Sequence, residues 1–388
     1  MAIELFQQDT GSRVFQVTED PLTKSNIYCE IPYCSADSRY FVFTRSPAKG
    51  NRKRKMDFFG RIDKSVSLLV TDADYVICEL GSWDMHLGGC GCGGIAMSHS
   101  GIFFFLRLTD EQVMELVRLN LATGESEVAC AFPEPIMART LATVSPDERF
   151  YAYGVVTDEK YRDYGVEIAD LMTGSTQIID RDPYILNPHP QFEPSEGKQI
   201  MIQHNRGGKI DENGNRMQLV GEEGATIYLL DIESHQRTPL QVGKPHTAPC
   251  TGHETWIGGT KEMILTVSAS VDQSVGRGNL LGVRSGEPAR VISTGHLYAH
   301  VGASVCGRFF CCDDFTTGDI VIGSIKTGKN AVVCHSESSL IPGQQNTHPH
   351  PYLTPDLNWV IFNSDRSGEP QIHAATVPDG MIEELERE

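Results

Sequence analysis

The chain has 388 residues, of which 40% are hydrophobic and 22% charged, a composition typical of a globular protein with a large core. Its formal net charge of −18 argues against a nucleic-acid partner, and no basic patch supports binding to a membrane surface. No apolar run approaches the roughly 18 residues of a membrane span. An acidic substrate would therefore need local positive charge, supplied by an arginine or a metal.

The N-terminal sequence MAIELFQQDTGSR contains no apolar run of signal-peptide length. The chain has eleven cysteines, an odd number. Without an export signal these cysteines are expected to be reduced thiols, and we expect a cytoplasmic protein.

A turn rich in Ser, Pro, Asp or Gly followed by a short strand-like run occurs seven times. The copies, in chain order, are SADSRYFVFTRS from Ser35, SHSGIFFFLR from Ser98, SPDERFYAYGV from Ser145, PSEGKQIMIQH from Pro194, GGTKEMILTVS from Gly258, SVCGRFFCCDD from Ser304 and TPDLNWVIFNS from Thr354. Their starts lie roughly 45 to 65 residues apart, close to the period of four-stranded propeller blades. Most copies are followed by another strand, a tight turn and a further strand, as in VRLNLATGESEVA.

Seven such units predict an all-β fold, a seven-bladed β-propeller, as a single domain over residues 1–388. A pair of β-sandwiches is the rival, but it does not explain seven recurring turns. Helical periodicity is confined to the acidic tail at residues 381–388, which we expect to be a solvated end. The basic run at residues 49–55 is expected to be a solvated loop of the first blade, with an anion site or a nuclear signal as alternatives.

The run QQNTHPHP from Gln344 places two imidazoles and a side-chain amide close together. In an extended segment, residues i and i+2 point to the same side, so His348 and His350 can converge on one point. The flanking prolines disfavour a helix there. Gln345 can bring a carbonyl oxygen to the same point. The run therefore predicts part of a shell of neutral N and O ligands for a divalent metal.

Histidines recur a few residues before the repeat turns, and this shared phase predicts that they meet at one end of the propeller. The segments are NPHP with His189, GHETW with His253, YAHV with His300, and THPH with His348 and His350.

Each histidine also has a structural alternative. His348 and His350 could bond backbone carbonyls in a turn, and His300 could be a satisfied core residue, although its phase favours a metal ligand. His253 could pack under Trp256.

Two further histidines are candidates for contacts with a substrate. His189 is flanked by prolines and could equally be structural. His204 ends a strand beside a polar loop and could be a plain loop residue.

Several segments resemble the oligogalacturonate lyases, a family of seven-bladed propeller enzymes that cleave short pectin fragments with a manganese ion. They are NPHPQFEPSEGKQIMIQH, NRMQLV, GHETW, YAHVGASVCGRFFCCDD and QQNTHPHPYLTPDLNWVIFNSDRSGEPQ. The likeness covers most of the chain in the same order, with QxxHxHP as its most specific part and a looser match over the first 90 residues.

The resemblance implies roles for particular residues. The metal ligands of the family, three histidines and a glutamine, are similar to His300, His348, His350 and Gln345, and the ion would be Mn²⁺. The proposed base is similar to His253. Arg216 resembles an arginine of the family that assists at the substrate, and it is therefore also a predicted substrate contact. Arg206 is the alternative.

The chain departs from the family pattern at three places. Thr255 in GHETW and Gln218 in NRMQL stand where aromatic residues are usual, and HNRGGKIDENG lacks the common HEGP-like run. These departures leave the metal site intact and bear on the identity of the sugar.

The leading hypothesis is a metal-dependent lyase that cleaves short oligogalacturonides by β-elimination. The metal and an arginine would neutralise the uronate carboxylate, and a histidine would abstract the C5 proton. The alternatives are a lyase for another uronic-acid disaccharide and a non-catalytic TolB-like or WD-like binding module. The expected partner is a small acidic oligosaccharide, with no nucleic acid or membrane; the sequence does not indicate the oligomeric state.

Overall fold

The structure is a computed structural model that describes residues 3–46, 55–56, 68–69, 73–91, 94–111, 113–132, 136, 138–158, 161–211 and 216–388. Most of the basic run at residues 49–55 therefore lies outside the described residues.

In the described part of the chain the strands group into seven four-stranded antiparallel blades, which confirms the predicted seven-bladed β-propeller. One bridge between Ala225 and Cys250 joins the fourth and fifth blades into a single eight-stranded sheet. The first blade contains β3 (Lys24–Asn26), β4 (Tyr40–Arg45), β7 (Ala73–Glu79) and β8 (Met85–Gly91). The second contains β9 (Ala96–Met97), β10 (Ile102–Leu108), β11 (Met114–Asn120) and β12 (Ser126–Phe132). The third contains β13 (Arg139–Val144), β14 (Phe150–Val156), β15 (Tyr164–Asp170) and β16 (Ser175–Asp182). The fourth blade contains β17 (Gln191–Phe192), β18 (Gln199–Asn205), β21 (Ala225–Asp231) and β22 (Arg237–Pro239). The fifth contains β23 (Cys250–Trp256), β24 (Glu262–Val267), β25 (Leu280–Arg284) and β26 (Arg290–Ser293). The sixth contains β27 (Tyr298–Ala303), β28 (Phe309–Asp314), β29 (Asp319–Ser324) and β30 (Asn330–His335).

The seventh blade joins the two ends of the chain. It contains β31 (Tyr352–Leu353), β32 (Trp359–Ser364) and β33 (Gln371–Thr376), and β2 (Arg13–Gln16) pairs antiparallel with β33 as the fourth strand. β1 (Ile3–Gln7) extends this sheet. Short hairpins outside the blades are β5 (Lys55–Met56) with β6 (Leu68–Leu69), and β19 (Lys209–Ile210) with β20 (Arg216–Gln218). The prediction of a single domain over residues 1–388 is not tested further and stays a prediction.

The recurring turns are built by one side-chain device. In the first, third and seventh blades, a Ser or Thr hydroxyl accepts from the backbone amide five residues on, at Tyr40, Phe150 and Trp359. The same hydroxyl donates to an Asp carboxylate two residues on, as from Ser35 to Asp37 at 2.5 Å. These local bonds explain why a Ser/Thr-x-Asp signature marks the first turn of these three blades.

The hydrophobic core lies between neighbouring blades. β-branched and aromatic side chains of adjacent sheets interdigitate, as where Phe104 of the second blade and Tyr151 of the third are both fully buried in one cluster. Because each blade packs on both neighbours, the innermost strands are held rigidly around the central channel.

The innermost strand of the first blade bulges into that channel. Asn26 pairs with Phe43 and Cys34 pairs with Phe41, so residues 27–33 oppose Val42 alone. The bulged segment crosses to other blades: the Cys29 thiol donates to the Val301 carbonyl. We call residues 27–33 the inner bulge.

The acidic tail is a docked helix, so its prediction as a solvated end was wrong. Helix α1 (Met381–Glu386) buries Leu385 in the core between the sixth and seventh blades. The Thr327 hydroxyl donates to the Leu385 carbonyl at 2.7 Å, and Arg308 pairs with Glu386. The acidic run is too short for its sequence pattern to show that one apolar residue, Leu385, anchors the helix. Within the described ranges, no helix has the length and apolar character needed to cross a membrane.

Candidate metal centre

One position recurs in every blade, on the innermost strand or in the segment beside it. It lies four residues before the residue whose amide closes the first turn of the blade, namely Ser35, Ser98, Ser145, Glu193, Ile257, Ser304 or Thr354. We call it the channel position. In the first three blades it holds Ile31, Gly94 and Leu141, and in the last four it holds His189, His253, His300 and His350. Four consecutive blades thus present an imidazole at the same height.

His300 is at the centre of a cluster of four imidazoles. Its ring centroid lies 4.0 Å from that of His350, 4.3 Å from that of His253 and 5.3 Å from that of His348. The rings of His348 and His350 are 6.2 Å apart. Nitrogen atoms of His253, His300 and His350 lie within 4.8 Å of one another. We call these four residues the imidazole cluster.

His300 is oriented by a carboxylate that the sequence analysis missed. Its Nδ1 lies 2.8 Å from Oδ2 of Asp313, and Asp313 also accepts from the His300 amide at 2.7 Å. Both residues are buried. Nδ1–H donation to the carboxylate fixes the tautomer and leaves Nε2 as the electron-pair donor, an arrangement common behind metal-binding histidines. Asp313 lies thirteen residues on, and only strand pairing in the sixth blade reveals it.

His348 follows a short 3₁₀-helix, Gln345–Thr347, and adopts an extended conformation with φ −94° and ψ 141°. Its Nε2 lies 3.1 Å from the Ile341 carbonyl, to which it donates, and its buried Nδ1 has no hydrogen-bond partner in the described part of the chain. The orphaned Nδ1 is therefore the atom available to a ligand.

His350 is buried with Nε2 unpartnered, and its φ of 42° is unusual for a non-glycine residue. The backbone on both sides is clamped: the Asn26 amide donates to the His350 carbonyl, and the Asn363 amide donates to the His348 carbonyl, both at 3.1 Å. Burial and the neighbouring imidazoles of His300 and His348 hold its pKa well below the usual value. A strained, neutral imidazole with a free nitrogen fits a ligand role.

His253 is half-buried, and a chain of hydroxyls sets its tautomer. The Thr266 hydroxyl donates to the Ala299 carbonyl at 2.8 Å, and the Thr251 hydroxyl lies 2.5 Å from that of Thr266. Thr251 therefore accepts from Nδ1–H of His253 at 3.2 Å, which leaves the lone pair on Nε2. Burial, followed by the nearby imidazoles, lowers the pKa of His253 well below its ordinary value, so the ring is neutral near pH 7.

Gln345, the fourth predicted ligand, lies in the 3₁₀-helix with its side chain exposed. Its backbone carbonyl accepts from the His348 amide at 3.1 Å. The structure thus brings the imidazoles together, whereas the side chain of Gln345 is exposed and precedes His348 by three residues.

His189 is buried in a separate group of polar side chains. Its Nδ1 lies 2.8 Å from Oε1 of Glu30, which is on the inner bulge. The pKa of His189 is raised, because the Glu30 and Glu254 carboxylates outweigh an opposing effect of burial. Burial raises the pKa of Glu254 to about 8. Neither acid was singled out from the sequence, although Glu254 follows the predicted base directly.

Tyr28, also on the inner bulge, stands between the two groups. Its ring centroid lies 5.4 Å from that of His350, 5.5 Å from that of His189 and 6.0 Å from that of His253. Its hydroxyl donates to the Gly252 carbonyl at 3.1 Å. The first blade was the part of the chain with the weakest motif, so no sequence signal pointed to this residue.

The remaining predicted residues lie at the end of β18 and in the segment that follows it. His204 packs between the rings of Tyr184 and Tyr228, and its Nε2 lies 3.1 Å from Oδ1 of Asp182. Arg216 begins β20, and its side chain lies outside the described residues. Arg206 donates to the carbonyls of Gly224, Lys244 and Glu223.

The imidazole cluster fits a divalent cation. The two unpartnered nitrogens, Nδ1 of His348 and Nε2 of His350, are buried polar atoms that need a partner, and Asp313 prepares Nε2 of His300. These donors are neutral, so a cation held by them retains its charge for an anionic substrate.

Comparisons with known proteins agree with this geometry. An oligogalacturonate lyase from Dickeya dadantii is 24% identical over 231 residues, and an oligogalacturonide lyase from Pectobacterium atrosepticum is 25% identical over 234 residues. Each match covers 55% of this chain and 55% of the relative, so the matched region spans about half the length of either protein. The matched half of this chain is thus similar in sequence to oligogalacturonate lyases. No protein-family model matches it.

Solved structures of such lyases share the fold over nearly the whole chain. An oligogalacturonate lyase in complex with manganese has a TM-score of 0.70 at 18% identity, and covers 98% of this chain with 97% of its own. An oligogalacturonate lyase from Vibrio parahaemolyticus has a TM-score of 0.67 at 17% identity with the same coverage. The β-propeller domain of a Pyrococcus furiosus protease is more distant, with a TM-score of 0.52.

Proposed function

We propose that this protein is a metal-dependent lyase that cleaves short oligogalacturonides by β-elimination. The observation that carries the proposal is the imidazole cluster, in which buried, unpartnered nitrogens of His348 and His350 lie beside the carboxylate-oriented ring of His300. The kinship with oligogalacturonate lyases supports the substrate class.

We propose His300, His348, His350 and Gln345 as the residues that hold the ion, with Mn²⁺ suggested by a lyase of the same fold that was solved with manganese. When bound, the ion would stabilise the negative charge that develops on the uronate carboxylate, an effect worth several kcal/mol. Mixed imidazole and amide donors without thiolate favour a six-coordinate ion over structural zinc.

His253 is the proposed base. Its Nε2 would take the proton from C5, the electrons of the C5–H bond would form the C4=C5 double bond, and the C4 oxygen would leave with the electrons of its broken bond and take up a proton. The Thr251 and Thr266 hydroxyls hold the lone pair at Nε2, and the lowered pKa keeps the ring unprotonated near neutral pH. The imidazolium formed would be stabilised when Nδ1–H donates to Thr251.

Arg216 is the proposed residue that assists at the substrate carboxylate. Arg206 is the weaker candidate, because its guanidinium already donates to three backbone carbonyls. Substrate contacts through His204 and His189 stay predictions, and the pairing of His189 with Glu30 favours the different role argued below. A cytoplasmic location likewise stays a prediction.

The test is a continuous ultraviolet assay on Mn²⁺-loaded protein with digalacturonate, trigalacturonate and a panel of other uronate disaccharides. Elimination creates a 4,5-unsaturated product that absorbs near the ultraviolet edge. We expect a rise in absorbance with the galacturonides that disappears after chelation and returns with Mn²⁺. A rise only with another uronate would correct the substrate, whereas no rise with any uronate would overturn the proposed activity.

A further inference from the structure

A second polar cluster lies in the channel beside the imidazole cluster. It consists of Glu30, His189 and Glu254, and ligand atoms of these three residues lie within 4.8 Å of one another. They come from three blades: Glu30 from the inner bulge of the first, His189 from the fourth and Glu254 from the fifth. We call this group the acidic cluster.

The acidic cluster is deeply buried. Glu254 is 0% exposed, Glu30 is 4% exposed and His189 is 9% exposed. Among the residues that the structure describes, both oxygens of the Glu254 carboxylate lack a hydrogen-bond partner. A buried carboxylate with no partner is costly, because it loses its hydration and gains nothing in return.

The side-chain amide of Gln191 contacts the same group. The Nε2 amide of Gln191 donates to Oε2 of Glu30 at 2.8 Å and to the Glu254 backbone carbonyl at 2.6 Å. These two bonds fix the orientation of the amide, and its buried Oε1 has no partner. Three buried oxygens of two side chains therefore have unused acceptor capacity around one imidazole.

The charges are also unbalanced. Two carboxyl groups stand against a single imidazole, so without a further positive charge at least one of the two acids has to be protonated in this buried site. A dication would balance both carboxylates and leave His189 neutral and able to donate an electron pair. Neutral imidazole together with carboxylate and amide oxygens is a donor set suited to a hard or borderline divalent ion such as Mn²⁺.

We propose that Glu30, His189 and Glu254, with Oε1 of Gln191, form a second divalent-cation site that is separate from the imidazole cluster. Because carboxylates neutralise the ion held here, its role is structural: it ties the inner bulge to the fourth and fifth blades. Tyr28 lies on this bulge and contacts His350 and His253, so the second ion also fixes one wall of the imidazole cluster.

The test counts ions in the full chain. Protein stripped with a chelator is titrated with Mn²⁺ alone, and bound ions are counted from the loss of the electron paramagnetic resonance signal of free Mn²⁺. Wild type is expected to bind two ions per chain. Glu254→Gln, which keeps the size of the side chain and removes its charge, is expected to bind one. His350→Ala is also expected to bind one, because it removes the other site.

The control is Glu233→Gln, an exposed acid on a turn of the fourth blade, which should keep both ions. Circular dichroism melts and gel filtration check the fold of each variant. If Glu254→Gln does not fold, Glu30→Gln replaces it, and the same loss of one ion is expected.

Two results separate this site from the proposed function. If a single ion is bound, and it is lost in His350→Ala and kept in Glu254→Gln, the second site is overturned and the proposed lyase is left intact. Where Glu254→Gln does not fold, retention of the ion in Glu30→Gln has the same meaning. A single ion that is lost in Glu254→Gln and kept in His350→Ala would support the second site and remove the cation from the imidazole cluster.

Discussion

The imidazole cluster and the acidic cluster both contain histidines at the channel position of neighbouring blades, yet their chemistry differs. At the imidazole cluster, the donors that face the channel are neutral, and the one carboxylate, Asp313, stands behind His300. At the acidic cluster, carboxylates face the imidazole of His189 directly. The difference shows how one scaffold can leave the charge of a cation available at one site and cancel it at the next.

The largest expected effect comes from His350→Ala. Removal of this nitrogen should abolish binding of the proposed ion at the imidazole cluster and reduce lyase turnover by about 10³-fold or more, since the charge stabilisation is worth several kcal/mol. Metal analysis and the ultraviolet assay measure both losses. The control is His235→Asn, at an exposed position with φ 57° that asparagine tolerates. Full turnover in His350→Ala would contradict the ligand assignment.

His253→Ala sharpens the comparison within the imidazole cluster, because His253 lies as near to His300 as a ligand would. A base that is not a ligand should keep the ion, and its removal should lower kcat by about 10² to 10⁴-fold. Metal stoichiometry and kcat are measured on the same sample. Loss of the ion together with turnover would make His253 a ligand and leave the reaction without an assigned base.

Asp313→Asn tests the carboxylate behind His300. The amide keeps the shape of the side chain but weakens the hold on Nδ1–H, so we expect metal affinity to fall by about 10 to 100-fold. Turnover should recover at saturating Mn²⁺. A Mn²⁺ titration of activity gives the shift, and an unchanged midpoint would show that Asp313 serves only the backbone amide of His300.

Gly302→Ala tests how the inner bulge is seated. A Cβ at Gly302 would lie 2.2 Å from the Cys29 carbonyl oxygen, a backbone atom that cannot give way cheaply. We expect destabilisation of about 1–3 kcal/mol from overpacking, measured by urea unfolding.

Gly276→Ala is the matched control, since Gly276 is exposed and a Cβ there would have no heavy atom within 4 Å. It should change stability by less than about 0.5 kcal/mol. Equal stability of the two variants would mean that the bulge can move away from the sixth blade at no cost.

The sequence predicted the fold well because the repeat is local. In five of the described turns a Ser or Thr hydroxyl accepts from a nearby backbone amide, as Ser145 does from Phe150, so each of these turns has a short local signal in the sequence. The same phase predicted that His189, His253, His300, His348 and His350 would meet at one end of the propeller. All but His189 belong to the imidazole cluster. These relations depend on a few neighbouring residues and on the regular spacing of the blades.

The acidic cluster could not be predicted in this way. Glu30 reaches His189, 159 positions away in the sequence, only because the first blade's inner strand departs from regular pairing. The amide of Gln345 could not be placed either, since a 3₁₀-helix replaces the extended conformation expected before His348. In both places, the inner bulge and the 3₁₀-helix before His348, the backbone is irregular, and residue patterns do not predict irregular backbone.

The most direct test of the central claim is anomalous X-ray diffraction from crystals soaked with Mn²⁺, recorded on both sides of the manganese absorption edge. The account predicts a peak bounded by Nε2 of His300, Nδ1 of His348 and Nε2 of His350. Manganese absent from this position at saturating Mn²⁺, with the three rings ordered, would contradict it.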